Sequence, residues 1–439
     1  MTSNTDNVVG SGPTIVDSRG HRARDLMAVN AGNTLEWYDW TIYTIFAPYF
    51  AGQFFPTDDP VAALLATLAV FAVGFVTRPL GGWLFGRYAD RHGRKTALTL
   101  AMAIVAIGSL VIAVSPTYGA VGVAASVILL VARLVQGLAH GGEMGTAVTY
   151  LVERAPAGRR ALWGSSSWVS VILGTMLATL TGLAVTNLLS EADVAGWGWR
   201  VAFGLGGILG LYALWLRRRI QETAVVDERS ARRKEPRAPL WQRLRPHLSG
   251  VAIVMGLSAG GSIMFYTWLI YAPTYAQVAR GQDAGSALLA ALLAQVVFLI
   301  ALPLLGMLGD RIGRRPLIVA FGVGFIGLSF VLNGMIDGTF WGLFLAMTIA
   351  LVLMACLFAV NGAVWAEVFP TSVRAAGVAA PLSLATAIFG GTAPYLNTWF
   401  ASNDLQHVFI WYLMAVAAIT LVTGLLAPET RHWKLDRTS

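Results

Sequence analysis

Apolar residues run through the chain in long blocks separated by short polar stretches. A helix needs roughly 20 apolar residues to cross the hydrocarbon of a bilayer. Blocks of that order lie at 28–51, 63–86, 97–115, 122–150, 162–187 and 199–217, and again at 250–278, 286–309, 316–336, 340–366, 373–400 and 406–427. Lipid offers backbone groups no hydrogen bonds, so segments of this kind must satisfy their own and are expected to be helices rather than strands. The pattern predicts an all-α membrane protein of twelve transmembrane helices.

Charge sharpens this picture. Only 12% of the 439 residues are charged, about half the share of a soluble domain, which leaves too little polar surface for water. The charges also sort by loop. Of the 31 Lys and Arg residues, all but Arg78, Arg133, Arg200 and Arg280 fall at the termini, in loops 87–96, 151–161, 217–249 and 310–315, or at Arg374. The alternate loops carry Asp58, Asp59, Glu191, Asp193, Asp283, Asp337 and Asp404. Positive loops stay inside, so both termini are expected in the cytoplasm of a bacterial inner membrane. The net charge of +8 therefore reports topology, with the lipid bilayer and not nucleic acid as the partner. Residues 1–25 hold no apolar run, so no cleavable signal peptide is expected, and Cys356 has no second cysteine to pair with.

Residues 218–249, with the run RRKEPRAP, lack apolar periodicity and read as a cytoplasmic linker. They divide the chain into a tail over 1–27, a six-helix bundle over 28–217, a second six-helix bundle over 250–427 and a tail over 428–439. The two halves repeat each other. GRYADRHGRK at 86–95 returns as GMLGDRIGRR at 306–315, and Glu153-x-x-Pro156-x-x-x-Arg160 returns as Glu367-x-x-Pro370-x-x-x-Arg374. Each half also closes on a Glu-Thr pair, Glu222-Thr223 and Glu429-Thr430.

With these repeats the chain resembles the major facilitator superfamily over its whole length. The stretches GNTLEWYDW (32–40), FAVGFVTRPLGGWLFG (71–86), RLVQGLAHGGEMGTAVTY (133–150), GWGWR (196–200) and AEVFPTSVRAAG (366–377) resemble its metabolite:proton symporter branch. Within that branch, WLFGRYADRHGRK and ATAIFGGTAPY look most like the permeases that carry alpha-ketoglutarate. The resemblance implies two bundles around a shared cavity, with alternating access by rocking of one against the other. It implies proton-coupled symport of a small organic anion, alpha-ketoglutarate or a related di- or tricarboxylate, with no cofactor beyond the proton gradient and a monomer as the working unit. A zwitterion such as proline or betaine, shikimate, citrate or an aromatic acid stays open on the same fold.

Charges inside the membrane narrow the chemistry, because each costs at least about 2.5–3.5 kcal/mol near the bilayer centre. The first half carries Glu36, Asp39, Arg78, Arg133 and Glu143 within its spans, while the core of the second half carries none. Counting residues from the span ends places Glu36, Arg78 and Glu143 in one layer, with Asp39 and then Arg133 further out. Arg133 and Arg78 are candidate carboxylate clamps, since guanidinium meets a carboxylate with two parallel bonds. Asp39, Glu36 and Glu143 are candidate proton carriers. Arg133-x-x-Gln136-Gly137 matches the helix-4 motif that the superfamily associates with proton coupling. Tyr43, Gln136, Tyr266, Trp268 and Asn361 are further candidates at the substrate. A fixed ion-pair layer is the structural alternative for the charges, and packing for the aromatics and for His140.

Asp90 and Asp310 follow helices 2 and 8, where a carboxylate can accept bonds from the positive N-terminus of a helix in the opposite bundle. Arg94, Arg314, Glu153 and Glu367 can extend that link into a gate. An enzyme is not expected: the chain has no Ser-His-Asp spacing, HExxH or Cys/His cluster.

Overall fold

The computed structural model describes residues 18–141, 143–156, 158–218 and 240–433. Within them the chain forms twelve long helical rods: α1 (Ser18–Phe54), α2 (Pro60–Val76 and Arg78–His92), α3 (Arg94–Val114), α4 (Ala124–His140 and Glu143–Arg154), α5 (Arg160–Leu188) and α6 (Glu191–Asp193, Val194–Gly198 and Trp199–Arg218). The second half supplies α7 (Leu248–Met264, Phe265–Tyr271 and Ala272–Arg280), α8 (Ala284–Ile312), α9 (Arg315–Met335), α10 (Phe340–Glu367), α11 (Arg374–Ala385, Thr386–Gly390 and Ala393–Ser402) and α12 (Gln406–Leu426).

Ten of these rods have the length and apolar content of a membrane span among the described residues. The two that fall short are α1 and α4, which carry Glu36, Asp39, Arg133, Gln136 and His140. Large apolar side chains such as Trp83, Ile208, Ile300 and Val422 are exposed on the outer faces, as expected where lipid is the solvent.

The acidic loops have a local reason to be acidic. The even-numbered helices begin there, and their free N–H groups need acceptors. Asp59 accepts from Val61 N at 2.8 Å, Asp283 from Ser286 N at 2.7 Å, and Thr339 Oγ1 from Gly342 N at 3.1 Å. Asp337 in turn holds the Thr339 hydroxyl at 2.7 Å. On the basic side Glu429 does the same for α9, accepting from Arg314 N, Arg315 N and Arg431 N at 2.9–3.1 Å.

Several boundaries differ from the sequence expectation, among them the start of α1 at Ser18 rather than 28 and the end of α2 at His92 rather than 86. α6 begins at Glu191, well before residue 199, because Ser190 caps a first turn that continues through a π-helical stretch to Trp199. The segment after α12 is not a loose tail: Thr430 is fully buried and Trp433 O accepts from Arg160 Nη1 of the first bundle. Of the expected linker, 219–239 lie outside the described residues. Its last part docks, with Arg243 Nη2 donating to Ser372 O at 2.6 Å.

Glycines set the closest helix contact. A Cβ on Gly137 would lie 1.9 Å from Gly74 O, and one on Gly141 would lie 1.9 Å from Arg78 O, so α2 and α4 meet backbone to backbone. Gly86, on the same helix as Gly74, faces open space instead.

Candidate functional site: a cavity between the bundles

Between the two halves lies a cavity whose empty space, open solvent included, is ≈ 760 Å³, lined from the first by Asn33, Glu36, Trp37, Arg78, His140 and Trp168. The second half contributes Ser258, Ser262, Phe265, Tyr266, Asn361, Trp365, Ser383 and Thr386, among others. Local sequence explains how several of these arrive. Pro79 lacks an N–H and crowds the preceding turn, so α2 breaks at Thr77, immediately before Arg78. The Thr77 hydroxyl bridges the break, 2.9 Å from Gly74 O and 3.2 Å from Leu134 O of α4. In α7, Pro273 follows a π-helical stretch over Phe265–Tyr271, and α11 carries another over Thr386–Gly390. Such bulges turn side chains off the regular helical register, and these put Tyr266 and Thr386 on the cavity.

Among the described residues Arg78 is the only Lys or Arg on this wall, and it is 7% exposed. Its guanidinium carbon lies 3.8 Å from the Phe75 ring centroid and 4.5 Å from that of Trp40. Its Nε and Nη2 have no hydrogen-bond acceptor among the described residues. An aromatic cradle of this kind holds the planar fork while leaving donors uncommitted. Across the cavity Asn361 Oδ1 accepts from Trp168 Nε1 at 3.2 Å, tying α10 to α5.

Arg133 sits elsewhere. It is fully buried inside the first bundle, where its Nη1 meets Asp39 Oδ2 at 2.8 Å. Gln136 Nε2 donates to the same oxygen at 3.2 Å, and the Ser109 hydroxyl donates to the other. Arg133 also lies over the Tyr43 ring at 4.1 Å, and the Tyr43 hydroxyl donates to Thr67 O at 2.8 Å. Arg133, Gln136 and Tyr43, expected at the substrate, do not line this cavity, although Arg133 Nε and Nη2, like two donors of Arg78, have no hydrogen-bond acceptor among the described residues. Trp268 is likewise buried off the cavity, on the π-helical stretch beyond Tyr266.

Among the proton-carrier candidates, Asp39 is 2% exposed beside Arg133, and Glu36 lines the cavity with its Oε1 against His140 Nε2. Residue counting had put Glu36 and Arg78 at one depth, and both do line the cavity. The side chain of Glu143 lies outside the described residues, as do those of Asp90 and Arg94.

On the basic side the bundles are joined by charge. Asp310, at the end of α8, accepts from Ala161 N and Leu162 N at 3.0 Å each, at the N-terminus of α5 in the opposite bundle. Arg314 Nη1 lies 3.3 Å from Asp310 and its Nη2 lies 3.3 Å from Glu367. Glu367 also meets Arg160 of the first bundle at 3.3 Å and accepts from Thr430 at 2.5 Å. Glu153 meets Arg374 at 2.6 Å, again across the halves. Sequence reasoning noted Thr430 and Arg160 only as repeat landmarks, and it missed Ser109 and Trp365. The signal for Ser109 was a lone hydroxyl facing the polar layer of a helix otherwise apolar at that depth. On the acidic side Arg200 donates to Ala113 O and Ser115 O at 3.0 and 2.6 Å, which ties α6 to the end of α3.

Comparison with known proteins places this architecture. The family model described as "Sugar (and other) transporter" matches residues 25–232 and 216–439. The alpha-ketoglutarate permease of Escherichia coli is 37% identical, covering 91% of this chain and 92% of its own. A citrate-proton symporter of Klebsiella pneumoniae is 32% identical over 93% and 91%, and a proline/betaine transporter of Salmonella typhimurium is 30% identical over 95% and 86%. Among solved structures, the xylose transporter XylE from E. coli in a partially occluded inward-open conformation aligns with TM-score 0.74 at 20% identity, over 95% of this chain and all of that one. The chain therefore belongs to the sugar (and other) transporter family of the major facilitator superfamily, an integral-membrane transporter and not an enzyme.

Proposed function

We propose that the protein carries a small organic anion, alpha-ketoglutarate or a related di- or tricarboxylate, into a bacterial cell together with protons, by alternating access with both termini cytoplasmic. The observation that carries this reading is Arg78, a cavity guanidinium with two donor atoms lacking an acceptor among the described residues. A carboxylate satisfies such a fork with paired, charge-assisted bonds. Tyr266, Ser258 and Asn361 supply polar groups along the facing wall for the remaining oxygens. Two of the relatives above are named as carriers of carboxylates, which supports this reading, and one as a carrier of proline and betaine.

Proton coupling follows from charge and energy. A dianion entering a negative-inside cell is opposed by about 4.6 kcal/mol per 100 mV, at 2.3 kcal/mol for each charge. Two protons cancel that term. Asp39 is the carrier best placed to link protonation to movement, because neutralising it removes the ionic partner of Arg133 and loosens α1 from α4. Asp310, Arg314, Glu367, Arg160, Glu153 and Arg374 close the cytoplasmic side while the cavity faces outward.

A second reading, uptake of a zwitterion, draws on the proline/betaine relative and on Trp37, Trp168, Phe265 and Tyr266 around the cavity, since aromatic faces attract quaternary ammonium. Uptake of labelled alpha-ketoglutarate into proteoliposomes under an inward proton gradient, with citrate, shikimate, proline and betaine as competitors, separates the two. Gradient-driven uptake blocked by carboxylates supports the first. Uptake of betaine or proline without uptake of any carboxylate overturns it.

A further inference from the structure

A second, smaller cavity, with empty space of ≈ 460 Å³ open solvent included, lies between α1, α3, α4 and α6 of the first bundle. It shares two lining residues with the central cavity, Glu36 and His140. Asp39 and Ser109 line only the smaller one. We propose that protons pass between the substrate cavity and Asp39 through the Glu36–His140 pair and this inner cavity, along a route the substrate does not enter. The inference rests on the proton-symport reading above.

Asp39 is almost fully buried and does not line the central cavity, so a proton from the substrate side needs carriers to reach it. Glu36 is one helical turn from Asp39 on α1 and touches His140. His140 stands seven residues after Arg133 and four after Gln136, on the face of α4 turned to α1. An imidazole suits a relay because one ring nitrogen can take a proton while the other releases one. In the proposed step a hydronium ion in the cavity breaks one of its O–H bonds, leaving water, as an O–H bond forms on the Glu36 carboxylate. The proton then passes to His140 Nε2 as the O–H bond breaks, and Nδ1 releases its own proton into the inner cavity. That proton ends as the O–H of Asp39, whose ion pair with Arg133 becomes a neutral contact. Charge and atoms balance with no further reactant, and His140 is left as the Nε2–H tautomer, which a turn of its ring or the return passage of a proton resets.

The inner wall leaves room for water. Gly32, Ala101, Ala106, Ala139, Gly206 and Gly210 are its small residues, and from Ala101 to Ser109 it extends about 12 Å along α3 at 1.5 Å per residue. Among the described residues, the charged or titratable groups around the pair are Asp39 from α1, Arg78 from α2, Arg133 from α4 and Tyr266 from α7. From α3 and α6 the wall brings Met102, Val105, Ser109 and glycines, with no charge among the described residues.

The test fills the inner cavity without touching the central one. Ala101→Leu, and Val105→Phe as an independent plug, are reconstituted with whichever substrate the wild type takes up. Gradient-driven net uptake is compared with exchange of labelled external for unlabelled internal substrate, which needs no proton release. The route predicts net uptake reduced at least about tenfold, with exchange retained, and retained exchange is also the control for folding. Unchanged net uptake in both plugged variants, or equal loss of uptake and exchange in both, overturns the route. Substrate uptake by the wild type that ignores the proton gradient overturns the symport reading and this route with it. Proton-driven uptake of some other substrate, with the split between net uptake and exchange still present, overturns only the choice of anion.

Discussion

Asp310→Asn isolates the contact that holds the two bundles together on the basic side. The carboxylate receives two backbone N–H groups of α5, at 3.0 Å each, from the opposite bundle. An amide of the same shape keeps one acceptor oxygen and turns an NH2 toward the other N–H. That loses one charge-assisted bond, about 1.5–3 kcal/mol, and the attraction of a charge for a helix N-terminus, about 0.3–1 kcal/mol. The total of about 2–4 kcal/mol corresponds to roughly a 30- to 700-fold shift toward the state open on that side, at about 1.4 kcal/mol per tenfold. The single cysteine makes the assay simple. In a Cys356→Ala background, Ser383→Cys places one thiol on the central cavity, and a membrane-impermeant maleimide is added from the basic side. The labelling rate follows the open fraction and should rise steeply on Asp310→Asn until the open state dominates. An unchanged rate would refute the reasoning, because it would mean that the Asp310 bonds form without biasing the two states.

Other positions give separate checks. Burial pushes the Glu429 carboxyl upward, but the N–H groups of Arg315, Arg314 and Arg431 outweigh it and hold it below the usual carboxylate range. A carboxylate whose folded pKa is depressed stabilises the protein above its unfolded value and loses that contribution as pH falls through the folded one. Thermal unfolding in detergent from neutral to strongly acid pH should therefore show wild type above Glu429→Gln at neutrality by about 0.5–1 kcal/mol, solvent screening of this exposed carboxylate keeping the gain small, the two converging at low pH. A gap that widens on acidification would contradict this. Gly137→Ala should abolish folded yield by size-exclusion chromatography, since its Cβ would meet Gly74 O at 1.9 Å, whereas Gly86→Ala should be tolerated. Asp39→Asn should lower stability by about 3–5 kcal/mol, the cost of leaving a buried partner uncompensated; Asp39→Asn with Arg133→Gln should recover part of it in the same melt.

The twelve helices were legible because each apolar block is longer than a soluble core needs, and the repeats at 86–95 and 306–315 marked the two halves. The start of α6 was not, since Glu191, Asp193 and two glycines look like loop until the Ser190 cap and the π-helical stretch are seen. Depth could be counted along each helix, which placed Glu36 with Arg78. Azimuth could not, because lipid and protein faces of such helices are equally apolar. That is why Arg133 and Tyr43 were expected at the substrate although they turn into the first bundle. The stripe Arg133, Gln136 and His140, spaced three and four apart, was the readable sign that α4 presents one polar face to α1. The contacts of Thr430 and Trp433 depend on where α12 ends relative to Arg160, which no local pattern encodes.

The central claim is that Arg78, and not Arg133, meets the substrate. Half-saturation for exchange of alpha-ketoglutarate in proteoliposomes, measured for Arg78→Lys and Arg133→Lys beside wild type, tests it most directly. A lysine keeps the charge and loses the planar fork, so Arg78→Lys should raise half-saturation by about tenfold or more, the worth of one charge-assisted bond. Arg133→Lys should leave it near the wild-type value while impairing gradient-driven uptake. A large rise for Arg133→Lys with none for Arg78→Lys would contradict the account.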